Sequence, residues 1–408
     1  MNKKNIFVWS LYDFANSFVF ITFLLYFSKW LVVNQGLSDW WYNGTYVLGS
    51  IGLIFFAPYL GSRADLFNRG KHYLILSTWG CFLFYALAIL AAIYKFNILW
   101  PALFFGLGNF FYQLSFVFYN PLLNNIASRQ NQGKISGIGF FANYLGQIAA
   151  ILLALPFVSG KVSLGIDPLI AGVIPAIIIF ILLSIPLMIS REIFKPATPM
   201  VLPEKKYGQL QLFREAILIP GVFYFLLSFF LFSDALTTLI NNFSIFTASI
   251  FAASNTQISI LTLLILISAS IGAVIWGWLS DRIGAGKILI INLISYIILI
   301  PALAWSINYT FYSAIAIVSG ISIGGTWAVS RRLLIELVPA EKLNHLFGLY
   351  AISERASTIA GPLVWSTVLA ASNYRYAMTS LVIFQILSVI LMLRISNYPS
   401  NQQKLIWK

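Results

Sequence analysis

Four charged side chains sit inside long apolar stretches of this sequence: Asp13, Asp234, Glu354 and Arg355. A charge near the centre of a bilayer costs on the order of 2.5–3.5 kcal/mol even on insertion-based scales, so such groups line a cavity, find a partner or stand near a boundary. A buried carboxylate that exchanges its charge for a proton escapes that cost. Asp13, Asp234 and Glu354 are therefore candidate proton carriers. An arginine offers a carboxylate two parallel hydrogen bonds, which makes Arg355 a candidate partner for an anionic group or for one of the aspartates.

Polar neighbours recur at helical spacing around these groups. Asp13 lies in Trp9-Ser-Leu-Tyr-Asp-Phe-Ala-Asn-Ser17, with Asn16 and Ser17 three and four residues on and hence on the same face. Asp234 repeats the pattern with Thr237 and Thr238, and Asn241 follows. Glu354 and Arg355 stand in Ser353-Glu-Arg-Ala-Ser-Thr358, pointing about 100° apart on a helix of 3.6 residues per turn. A further face carries Asn109, Tyr112, Gln113, Phe116 and Asn120, suited to lining an aqueous path or to hydrogen bonding between helices. Asp13 could instead be solvated near the end of its helix. Glu354 and Arg355 could form a structural ion pair or lie at a boundary.

The elements that must position these residues are transmembrane helices. Of 408 residues, 60% are hydrophobic and 9% charged. A soluble domain needs roughly 25% charged residues to cover its surface. Continuous apolar runs reach the roughly 20 residues that span a bilayer as helix. Twelve spans are expected, near 6–33, 41–62, 73–94, 98–120, 134–158, 168–190, 216–246, 255–279, 286–305, 309–330, 343–370 and 373–393. The fold class is all-α, a polytopic membrane protein of about twelve transmembrane helices.

The net charge of +13 is a topology signal rather than a nucleic-acid footprint. With the termini on one side, all but five of the 25 Lys and Arg fall in the termini and even-numbered connections. Lys29, Lys95, Lys161 and Arg375 lie opposite, and Arg355 falls within a span. The positive-inside rule then puts both termini in the cytoplasm, in a bilayer read as a bacterial cytoplasmic membrane. The single cysteine, Cys81, excludes an intramolecular disulfide. His72 and His345 lie in loops, with no metal or nucleophile cluster around them. No Gly-x-x-x-x-Gly-Lys-Ser/Thr phosphate loop occurs, so no cofactor and no enzyme activity are expected. The first apolar stretch is too long for a signal-peptide core and reads as an uncleaved helix.

The spans divide into two related halves. A polar stretch at 191–215, with Pro196, Pro199 and Pro203, separates an N-terminal bundle (1–190) from a C-terminal bundle (216–408), six helices each. Gly61-Ser-Arg-Ala-Asp65, followed by Arg69 and Lys71, recurs as Gly277-Trp-Leu-Ser-Asp281, followed by Arg282 and Lys287. Tyr119-Asn-Pro-Leu-Leu123 lines up with Ser330-Arg-Arg-Leu-Leu334, and Gly137 with Gly348. Offsets run from 211 (Gly137 to Gly348) to 221 (Asp13 to Asp234). An even number of spans between copies makes this a parallel repeat, so Asp13 and Asp234 are equivalent points expected to face a shared central cavity. Glu354 aligns with Asn143, and Thr358 with Gln147.

The repeated Gly-x-x-x-Asp then Arg/Gly/Lys pattern resembles the signature loop of the major facilitator superfamily. In that arrangement the glycine lets two helix ends approach closely and the aspartate pairs with cations to hold the cytoplasmic side shut. The plain alternative is a basic turn obeying the positive-inside rule. Trp9-Ser-Leu-Tyr-Asp-Phe-Ala-Asn-Ser17 is more specific. With Phe229-Phe-Leu-Phe-Ser-Asp-Ala-Leu-Thr-Thr238, Asn143-Tyr-Leu-Gly-Gln147 and Arg355-Ala-Ser-Thr-Ile-Ala-Gly-Pro-Leu363, it resembles the autophagy-related vacuolar amino-acid effluxers of fungi and their bacterial relatives. This chain departs from them at Ala235, Asn143, Gln147 and Arg355.

The resemblance implies a transporter with an amino acid as the leading substrate class; the two-half repeat suggests alternating access, and the buried carboxylates suggest coupling to protons. A proton-independent facilitator, an exporter of hydrophobic compounds and a non-transporting sensor are the alternatives. The partners implied are the solute, protons and the lipid bilayer, with neither nucleic acid nor an obligatory protein. Gly361-Pro362 should loosen or kink the eleventh span and give a gating joint.

Overall fold

A computed structural model describes residues 3–67, 69–126, 132–194, 221–337, 350, 353–354 and 357–396. Among them eleven helices are long and apolar enough to cross a membrane, and a twelfth, Ala360–Ala371, is apolar but shorter. The helices are α1 (Lys3–Thr22), α2 (Asp39–Leu66), α3 (Gly70–Ile93), α4 (Leu99–Tyr119), α5 (Gln132–Val158), α6 (Pro168–Ile189), α7 (Val222–Phe251), α8 (Asn255–Ile283), α9 (Ala285–Ala304), α10 (Tyr309–Leu337) and α11 (Ala360–Ala371). The last, α12, runs Tyr374–Ser380 and resumes as Val382–Ser396.

Their start and stop signals are local. Asp167 caps α6 through Leu169 N, with Pro168 at the first helical position where no N–H is needed. Asn373 caps α12 through the N–H groups of Arg375 and Tyr376. Gly284, at φ 100°, makes the tight turn from α8 into α9.

Contacts group the described chain into two units. The first comprises residues 1–204 and 247–259, the second 205–246 and 260–408. The α7–α8 hairpin, within residues 247–259, is thus grouped with the first unit.

In the first unit α1 packs against α5 and α6, and α3 against α4. Glycine sets the α1–α5 spacing. A Cβ on Gly146 would press on Phe14 O and Ser17 Cβ, and one on Gly139 would meet Trp9. The core beside α1 is aromatic: Trp9 stacks on Tyr119 at 5.0 Å, and Tyr119 donates to Trp9 O at 2.9 Å. Beyond Thr22 the first span continues as two π-helical turns, Phe23–Phe27 and Trp30–Asn34. Such turns are rare and cluster at functional positions. No sequence signal announced them.

In the second unit α9 packs against α10 and α12. The eleventh span differs from expectation. Residues 357–359 form a bend, and regular helix starts only at Ala360, so this is a break ahead of Gly361-Pro362 rather than a kink at it. Proline at the third helical position needs no intrahelical N–H partner, which suits a helix start better than a helix interior.

Candidate functional site

Within the first unit, Asp13 on α1 meets Asn143 on α5. Asn143 Nδ2 donates to Asp13 Oδ1 at 3.0 Å, and Gln147 Nε2 donates to Asn143 Oδ1 at 2.7 Å. The result is a polar chain in which Asn143 both donates and accepts. Asp13 is half-buried and Gln147 buried. The close α1–α5 approach allowed by Gly146 brings the amide within reach of the carboxylate.

The expected neighbours on α1 have other roles. Ser17 Oγ donates to the backbone carbonyl of Asp13 at 2.9 Å, and Asn16 is fully buried, with neither amide atom hydrogen-bonded among the described residues. Helical geometry puts these residues on one face of α1, while Asn143 reaches the carboxylate from across the helix pair. On α4, Asn109 and Tyr112 are buried and Gln113 is half-buried, while Asn120, just past its end, is exposed. Tyr112 stacks on Phe20 at 6.0 Å and takes the edge of Phe116 at 5.2 Å. Through Tyr112, that face touches α1 at Phe20.

In the second unit Asp234 is 0% exposed, midway along α7. Its Oδ2 accepts from Gly361 N at 2.9 Å, while Oδ1 has no hydrogen-bond partner among the described residues. The first N–H groups of a helix have no partner inside it, and a capping side chain normally supplies one at the second or third position. The residue at that place here, Ile359, has no side-chain oxygen to offer. Asp234 reaches across from another helix to take the role, and the positive end of the α11 dipole favours its charge.

Thr238, one turn along α7, is also fully buried, and its hydroxyl has no partner among the described residues. Gly361 is required by contact: a Cβ there would lie 2.7 Å from Asp234 Oδ1 and press on Thr238 Oγ1. Thr237 is half-buried and Asn241 buried. Glu354 is half-buried, its carbonyl accepting from Ser357 Oγ at 2.6 Å, and Thr358 is buried. Arg355 lies outside the described residues.

The signature loops divide. In the second unit Asp281 pairs with Arg332 of α10, and Arg332 Nε donates to Glu336 at 2.7 Å and its Nη1 to Ser280 Oγ at 3.1 Å. Arg282 lies over the Trp278 ring at 3.8 Å. In the first unit Lys71 donates to the Ser190 and Ile189 carbonyls at 2.9 and 3.3 Å, closing the end of α6. Arg69 stands over Phe67, and the Asp65 side chain lies outside the described residues.

One expectation fails. Among the described residues a Cβ on Gly61 or Gly277 would meet nothing within 4 Å, so neither glycine serves a close approach there. Close packing falls deeper, where Gly272 and Gly324 bring α8 against α10.

Arg332 and Glu336 were not singled out from sequence, although Arg332 sits in the segment matched to Tyr119–Leu123. At the repeat offset of 211 its counterpart is Pro121, so the ion pair has no first-unit equivalent.

A family model described as "Vacuole effluxer Atg22 like" matches residues 124–404. An MFS-type transporter of Bacillus subtilis, YxiO, is 24% identical over 94% of this chain and 93% of its own length. Autophagy-related protein 22 of Kluyveromyces lactis is 32% identical, over 43% of this chain and 38% of its own. A protein of Aquifex aeolicus is 22% identical over 66% of this chain, which spans 65% of that relative. Among solved structures, a bacterial homologue of the lysosomal transporter Spinster superposes with a TM-score of 0.73 at 14% identity, covering 97% of this chain and 98% of the other. The nucleoside transporter NupG superposes with a TM-score of 0.71, also at 14% identity, covering 98% and 100%. The fold is that of major facilitator transporters.

Proposed function

This chain belongs to the Atg22-like vacuole effluxer family, and from that premise we propose that it is a proton-coupled secondary transporter that exports an amino acid by alternating access. It is an integral, multi-pass membrane protein of the major facilitator type. The bacterial cytoplasmic membrane with both termini inside is the placement that the distribution of basic residues supports.

The observation that carries the coupling is the seat of Asp234. A fully buried carboxylate holds the start of a half-helix by one oxygen, and its other oxygen is unpartnered among the described residues. A proton on Asp234 removes the charge that the α11 N-terminus holds, and its departure restores it. Charge on Asp234 and seating of α11 are therefore linked. A helix cap is worth about 1 kcal/mol, on the scale at which two conformations exchange readily.

Asp13 is the second candidate carrier, with Asn143 and Gln147 orienting it. Glu354 is the third. Asn16, Ser17, Asn109, Tyr112, Gln113, Thr237, Thr238, Asn241 and Thr358 are assigned to the solute or proton path. An amino acid is the favoured cargo because the matched family is described as an effluxer and because Arg355 offers a bidentate seat to a carboxylate. Asp65, Arg69, Lys71, Asp281, Arg282 and Lys287 are assigned to cytoplasmic gating, with the Asp281–Arg332 pair as the catch.

The test is proton movement in proteoliposomes holding a pH-sensitive dye, driven by a panel of amino acids. Asp13→Asn with Asp234→Asn should abolish it. Persistence of amino-acid-driven proton movement in the double variant would sink the coupling role, and silence of the wild-type protein toward the whole panel would sink the amino-acid assignment.

A further inference from the structure

Lys29 plays no part in the transport path described above, yet it is only 7% exposed. It lies between the two π-helical turns of the first span, Phe23–Phe27 and Trp30–Asn34. Its ammonium donates to Asn255 Oδ1 at 2.7 Å and to the Ala253 carbonyl at 3.4 Å. Asn255 Nδ2 donates onward to the Val158 carbonyl at the end of α5, at 3.2 Å. One turn before Lys29, the Tyr26 hydroxyl meets Ser259 Oγ at 2.8 Å. These bonds fasten the α7–α8 hairpin to α1 and α5 inside the first unit, at the ends of those helices away from residue 3.

We propose that Lys29 is the pin of a releasable latch on the α7–α8 hairpin, and that opening the transporter on this face requires the pin to leave Asn255 and Ala253. Two physical features make the latch releasable rather than a permanent strut. Taking an ammonium out of water costs several kcal/mol, and only good geometry with an anionic partner repays it. Among the described residues Lys29 has an amide and one long carbonyl contact instead. When the hairpin leaves, Lys29 regains water, which offsets the lost bonds. The hairpin also stores strain: Ala252 sits at φ 49°, a left-handed conformation that costs a non-glycine residue of order 1–3 kcal/mol. The connection is three residues long, Ala252–Ser254, so this strain lies at its pivot. On the α1 side Lys29 is flanked by the two π-helical turns, irregular backbone of a kind frequent at functional sites.

Cysteine accessibility tests the latch without any knowledge of the substrate. Ala253→Cys, in a Cys81→Ser background, reports the exposure of this buried position of the hairpin to a membrane-impermeant methanethiosulfonate reagent in sealed vesicles. Lys29→Met, and Lys29→Met with Asn255→Ala, should raise the labelling rate about tenfold, the equivalent of about 1.4 kcal/mol. Native Cys81, fully buried, is the control in separate Lys29→Met protein and should label no faster. If Lys29→Met does not accumulate, Asn255→Ala alone is read in the same way. An unchanged rate at position 253 in folded protein overturns the latch, as does a parallel rise at Cys81, which would mean general loosening. Proton movement enters none of these readouts, so a failed coupling assignment leaves them intact.

Discussion

Asp234 accepts a hydrogen bond from the backbone N–H of Gly361, 2.9 Å away and 127 residues along the chain. Its repeat partner, Asp13, is held instead by the side chain of Asn143 at 3.0 Å. Two carboxylates at equivalent points therefore have different anchors, a helix terminus in one unit and an amide chain in the other. The difference arises because Glu354 stands where Asn143 would be, and because the eleventh span breaks at 357–359. Only the Asp234 anchor ties a charge to the seating of a helix.

Removing the cap should separate structure from coupling. Asp234→Ala removes the acceptor of the Gly361 N–H and should lower stability by about 0.5–2 kcal/mol, the usual cost of a lost cap. Asp234→Asn keeps a neutral acceptor and should be nearer wild type in thermal unfolding, while losing proton coupling as fully as Asp234→Ala. Equal unfolding temperatures for the two variants would contradict the capping role.

Gly361→Ala should be damaging, because the new Cβ would lie 2.7 Å from Asp234 Oδ1. Overpacking of this kind typically costs about 1–3 kcal/mol. Gly277→Ala, in the signature loop, should be harmless or mildly stabilising, since its Cβ meets open space and alanine is favoured over glycine in a helix by about 1 kcal/mol. Thermal unfolding of the two proteins side by side decides this, and the reverse order would refute it.

Asn143→Ala should leave Asp13 Oδ1 and Gln147 Nε2 without the bonds they make now. The expected loss is about 1–3 kcal/mol, the cost of leaving a buried polar group unmade. Asn143→Gln, which keeps both hydrogen-bonding functions, should recover part of it. Unfolding midpoints of the pair measure the difference.

The Asp281–Arg332 pair should matter little to stability. Its side chains are 67% and 34% exposed, so water and salt screen the attraction, and pairs of this kind contribute about 0–1 kcal/mol. Arg332→Gln should shift the unfolding midpoint slightly. Transport by Asp281→Arg should fail and be rescued in part by Arg332→Asp. A double swap no better than the single variant would remove the pair from gating.

Much of the fold was legible in the sequence. Charge depletion and the length of the apolar runs dictate transmembrane helices, since both are direct demands of a lipid solvent. The repeat was legible because matching residues keep their order at nearly constant offsets. The polar stripes of α1 and α7 were legible because helical geometry fixes which residues share a face.

The anchors were not legible. Asn143 is chosen for Asp13 by the closeness of α1 and α5, which Gly146 sets, and no spacing within α1 reports that distance. The seat of Asp234 uses a backbone N–H, which every residue but proline carries and no sequence pattern marks. The glycines of the signature loops misled for the same reason, since only the neighbours' positions say whether a missing Cβ is needed. Sequence by itself determined what must be buried in the membrane and which carboxylates would be costly there. Tertiary structure alone decided how that cost is met, because the groups that meet it are brought together from distant helices by packing.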